Sequence, residues 1–123
     1  MVHVLMMSML LFGDPVSGSL QTKEKAVTGT FEIKTVGDRQ VVAFGGNFKT
    51  KNGPDLKVVL SPLPFSRVSG KTAMTGALVL GKLKATKGSQ QYMVPAGVDL
   101  SKYQSVLIHC EKYSVLWGGA PIR

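Results

Sequence analysis

A chain of 123 residues, 44% of them hydrophobic, is enough for one core and one domain of about 100 to 200 residues, which excludes a two-domain enzyme and any need for disulfides or metal to fold. Fifteen Lys and Arg against seven Asp and Glu give a net charge of +8, yet only 18% of residues are charged. The imbalance therefore reflects scarce acids, not a lysine-packed tail built for nucleic acid.

Val2 to Phe12 reads VHVLMMSMLLF, with His3 and Ser8 its polar positions. A bilayer-spanning helix needs roughly 20 residues, so this run is too short to cross a membrane. It fits the apolar region of a secretory signal, followed by small residues before an expected cut between Gly18 and Ser19, although no Lys or Arg precedes it. Residues 1–18 are thus expected to be a signal peptide or anchor remnant, and 19–123 an extracytoplasmic domain that is secreted, periplasmic or held to a membrane through that segment alone. The alternative is an apolar first strand or helix packed on the domain. Removal would take Asp14 away and leave 15 basic against 6 acidic residues, a charge of +9.

Beyond this run the apolar period is two, with Gly, Pro and Asn as punctuation, so strands are expected. Val27 to Lys34 alternates Val27, Gly29, Phe31 and Ile33 against Thr28, Thr30, Glu32 and Lys34. Gly37-Asp38 turns the chain into Gln40 to Phe44, and Gly45-Gly46 interrupts it. Asn52-Gly53-Pro54-Asp55 is a turn, Leu56 to Ser61 a strand, and Leu63 to Gly76 an aperiodic surface loop able to shape a site. Strands follow at Ala77 to Lys84, Gln90 to Val94, Ser105 to Glu111 and around Ser114 to Trp117. About seven to eight short strands with regular turn signals predict a single antiparallel β-sandwich, jelly-roll-like in class.

Little else points to a standard site. Asp55 and Asp99 stand in turns, where aspartate hydrogen-bonds local amides. Outside the leader His109 is the one histidine, and one His with one Cys falls short of the three or four ligands of a zinc or copper site, so no metal is expected. Lys49, Lys51, Lys82, Lys84 and Lys87 read as solvated strand faces; with few aromatics among them, nucleic acid is not expected, and an anionic surface polymer or acidic partner suits the charge better.

Gly53 to Leu56 (GPDL), Leu80 to Lys84 (LGKLK), Gly88 to Tyr92 (G-x-Q-x-Y), Pro95 to Tyr103 (P-A-G-x-D-L-S-K-Y), Val106 to Cys110 (V-x-I-x-C) and the closing aromatic-Gly-x-Ala-Pro from Trp117 stand in order. In these motifs Ala26 to Arg123 resembles the DM-thirteen domain family. The resemblance implies an extracytoplasmic β-rich module with a proposed electron-transfer role and a characteristic cysteine. Two positions depart from the pattern: His109 where tryptophan is common, and Trp117 where phenylalanine is common. For function the resemblance implies a redox accessory module acting through Cys110, as a bare thiol or as ligand to a prosthetic group such as haem. No C-x-x-C-H sequence is present, so haem would be non-covalent, and nine aromatics leave little to sandwich a porphyrin.

Alternation on a strand puts Val106, Ile108 and Cys110 on one face and Leu107, His109 and Glu111 on the other, unless a bulge intervenes. His109 and Cys110 should then not share a metal or act as a Cys-His pair. Lys112, on the nominal face of Cys110, is expected to favour thiolate, with Tyr113 and Trp117 supplying aromatic contact. The competing expectation is a buried, structural Cys110 in a non-catalytic module that binds carbohydrate or protein through Leu63 to Gly76 and surface aromatics such as Tyr92, Tyr103 or Trp117.

Overall fold

The computed structural model describes residues 16–123, so the apolar run Val2 to Phe12 lies outside the described residues. Eleven antiparallel strands form among them: β1 (Val16–Ser19), β2 (Gln21–Thr22), β3 (Val27–Thr28), β4 (Thr30–Val36), β5 (Arg39–Phe44), β6 (Lys49–Thr50), β7 (Leu56–Ser61), β8 (Leu78–Lys82), β9 (Gln90–Met93), β10 (Ser105–Cys110) and β11 (Val115–Pro121). The expected all-β class holds, with more and shorter strands than the seven or eight read from the pattern. Gly29, at φ +112°, splits the single expected strand from Val27 into β3 and β4. Val16, Ser17 and Gly18 make edge strand β1 with Ser19, paired to β4.

Two sheets carry the fold, in the orders β1-β4-β5-β9 and β2-β11-β10-β7-β8, with a small β3-β6 ribbon. Phe31, Ile33, Val42, Phe44 and Tyr92 from the first sheet meet Val58, Leu60, Val106, Ile108 and Trp117 from the second in one buried cluster, the packing of a sandwich. The second sheet is buried on its other face as well. There Val59, Leu107 and Leu116 pack beneath Phe65, Val68 and Ala73, so the segment expected to be a surface loop is a cover with its own small core. Ser105 Oγ–H donates to the Leu63 carbonyl at 2.6 Å and Gln104 Nε2–H to that of Pro62 at 2.9 Å, fixing where this cover begins. Burial on both faces explains why all six residues of β10 are buried, where alternation alone gives one wet face.

Most of the family-like motifs are structural knots. The Tyr92 hydroxyl donates to Gln90 Oε1 at 2.5 Å and accepts the Lys84 N–H at 2.8 Å, while Gln90 Nε2 donates to the Ala85 and Gly88 carbonyls at 3.0 and 3.1 Å. That lattice ties the end of LGKLK and the turn after it to the Q-x-Y segment. Asp99 Oδ1 accepts from the Ser101 N–H and hydroxyl at 3.0 and 2.6 Å and caps a short 3-10 turn, Leu100–Lys102.

Candidate functional site

Cys110 ends β10 opposite Leu56 of β7 and Val115 of β11. Its thiol is free, wholly buried, and belongs to the apolar cluster between the sheets. The β10–β7 register runs unbroken from Ser105 to Cys110, so alternation holds and Cys110 shares its core with Val106 and Ile108. A bulge does exist, but on β11: Ile108 pairs with Gly118 and His109 with Leu116, leaving Trp117 as the extra residue. The bulge returns Trp117 to the core that holds Cys110, while Leu116 goes to the opposite face.

Trp117 is held there by its indole N–H, which donates to the Lys51 carbonyl at 2.9 Å. Gly53 lies against the ring so closely that a Cβ on it would sit 2.8 Å from Cζ2. The glycine of GPDL is thus a packing glycine beneath the indole.

His109 is buried in the opposite layer, flanked by Lys57 and Leu116. Its Nδ1 has no hydrogen-bond partner. Burial pushes the imidazole below the ordinary histidine range, and the Glu111 and Asp55 carboxylates draw it partly back. Those two acids share Lys57, whose ammonium donates to Glu111 and stands 3.6 Å from Asp55. The Glu111 hydrogen bond, more than the nearby charges, raises the Lys57 pKa. Sequence reasoning missed this three-residue group, because Lys57 is far from Glu111 in the chain and only the β7–β10 pairing joins them.

The other expected site residues separate. The strand ends at Cys110 and a turn begins at Glu111, so alternation does not carry Lys112 to the thiol; its ammonium lies 5.4 Å from the Tyr113 ring centroid instead. Tyr113 is 61% exposed, outside the core of Cys110. Tyr92 and Trp117 are buried, which removes them as surface platforms for a sugar, and Tyr103 is half-buried. Both buried rings were drawn in by hydrogen bonds that satisfy their polar ends, a saving that sequence alone does not display.

Haem does not fit this arrangement. Clefts of about 690, 310 and 280 Å³ open on the described surface, and Cys110 lines none of them. Its thiol is enclosed, and His109, adjacent in the chain, belongs to the other layer. Two of these clefts are lined by the strand partners of Cys110, the 280 Å³ cleft by Leu56, together with Gly53, which touches Trp117, and the 310 Å³ cleft by Val115.

Residues 19–122 match the profile of a family described as Electron transfer DM13, the family the motifs resemble. No curated protein and no solved structure matches.

Proposed function

The chain belongs to the DM13 electron-transfer family, and from that premise we propose that it is an accessory domain of an electron-transfer system which acts by docking a partner, with Cys110 as a core residue of the resting domain. The observation that supports this most is the burial of Cys110 between Leu56 and Val115 in one apolar cluster with Trp117. Thiol–disulfide exchange needs a sulfur that an attacking group can reach, and reaching this one requires the sheets to part. Electron-transfer complexes, by contrast, are brief encounters over small surfaces, which a rigid sandwich can supply without an exposed thiol. The apolar run Val2 to Phe12 supports a place outside the cytoplasm.

Thiol labelling tests the role of Cys110. An aromatic disulfide reagent added to the native protein is expected to react only as the domain unfolds, at the rate of global opening. Rapid labelling of the folded domain would restore the reactive-thiol mechanism and overturn ours. Titration with haemin gives a second check: we expect no Soret shift that depends on Cys110, and a shift lost in Cys110→Ala would bring the prosthetic-group mechanism back.

A further inference from the structure

The lysines that sequence reads as separate wet faces converge. Lys49 of β6 forms a bridge with Lys87, and bridged partners project to the same side of a sheet; Lys51 follows directly on the end of β6 at Thr50. Lys25 stands 5.8 Å from the Trp117 ring centroid, and the indole N–H of that ring donates to the Lys51 carbonyl. Lys82 and Lys84 line the 280 Å³ cleft bounded by Asn52–Leu56 on the other wall. All six lysines are exposed, and among the described residues none of them makes an ion pair. The one acid in the cleft wall, Asp55, is already engaged by Lys57.

We infer that this lysine-ringed cleft is the docking surface for an acidic patch on a partner protein. Three observations favour an acidic protein over a sulfated or uronic polysaccharide. The ring is built of lysine alone: Arg39, Arg67 and Arg123 are elsewhere, and arginine is the side chain whose fork grips sulfate and carboxylate groups in a fixed, long-lived geometry. Lysine point charges steer encounter and release quickly, the behaviour an electron-transfer complex needs. The cleft also lies against a buried aromatic, since Gly53 forms part of its wall and packs on Trp117.

This inference rests on the electron-transfer reading for the nature of the partner, but its test reads binding alone and is independent of the thiol and haemin experiments. Fluorescent oligo-glutamate peptide, heparin and neutral dextran are titrated against the full chain at low salt and at ~150 mM salt. The peptide is expected to bind at low salt, to weaken about tenfold at the higher salt, and to weaken about tenfold again in Lys51→Glu/Lys84→Glu. Arg67→Glu/Lys71→Glu, the same charge change placed on the cover segment, should leave binding within about twofold. Equal weakening in both variants would show net charge at work and overturn the cleft. Binding of heparin without the peptide would overturn the acidic-protein partner in favour of a polysaccharide, and binding of neither would overturn the surface altogether. An unchanged unfolding midpoint in each variant confirms that the fold is intact.

Discussion

His109 and Cys110 are neighbours in the chain and lie in different cores: the thiol packs between the sheets with Val106 and Ile108, and the imidazole is buried on the face of Leu107 and Leu116. The unbroken β10–β7 register enforces this, because consecutive side chains on a regular strand point to opposite faces. A cooperative Cys-His centre is thereby closed to this domain, and each residue is governed by its own layer.

For Cys110, conversion to serine buries a hydroxyl where the present neighbours are apolar. Cys110→Ser is expected to lose about 1 to 3 kcal/mol, and Cys110→Ala less, since alanine leaves a small void but no unsatisfied polar group. Urea unfolding followed by the fluorescence of Trp117, the chain's one tryptophan, measures both. A serine variant as stable as the parent would mean that the sulfur is not in the apolar environment described.

His109 sets a pH dependence. Its folded-state pKa is lowered chiefly by burial, so the unfolded chain takes up a proton that the folded imidazole resists. The stability contribution is full above the ordinary value of 6.5 and is lost as pH falls through it towards the folded-state value. His109→Leu should flatten that slope. Asp99, held low by the Ser101 hydroxyl, acts in a separate window: its contribution is present above 3.8 and lost as pH falls further, through its folded-state value. If unfolding midpoints of parent and His109→Leu fall in parallel between about pH 7 and 5, the slope belongs to another group.

Gly118 is required by close approach. A Cβ there would stand 2.3 Å from the Gln21 carbonyl oxygen and 2.8 Å from Val27 Cγ2, so Gly118→Ala must push β2 away from β11. A loss of about 2 kcal/mol or more is expected, with faster amide exchange in β2, whereas Gly37→Ala, in open space at φ +65°, should cost only about 1 kcal/mol of backbone strain. Equal losses in the two variants would exclude the contact as the cause.

Tyr92→Phe tests the lattice around LGKLK. Losing the hydroxyl strands the Lys84 N–H and deprives Gln90 Oε1 of a donor, at about 1 to 2 kcal/mol. Exchange of the Lys84 amide, measured by NMR, should accelerate more than that of β10 amides. Uniform acceleration would show that the bond is not locally decisive.

Period-two alternation with Gly and Pro punctuation is a local property, and it was enough to reveal most of the strands from Val27 onward, though not the short β6 or the break at Gly29, as well as the all-β class and the opposite faces of His109 and Cys110. The ordered motifs were enough to show the family. Alternation could not reveal that β7 and β10 are buried on both faces, because the cover from Leu63 to Ala77 shows no period of its own and earns its place only by packing on Val59, Leu107 and Leu116. Nor could it show that Trp117, displaced by a bulge, turns inward, or that the turn at Glu111 ends the alternation before Lys112. The amino-acid sequence by itself determined a basic, all-β domain with one unpaired cysteine. Only the tertiary structure decided that the cysteine is enclosed, that Lys82 and Lys84 line one cleft and that Lys49 bridges Lys87, because burial and charge placement depend on which distant strands pair.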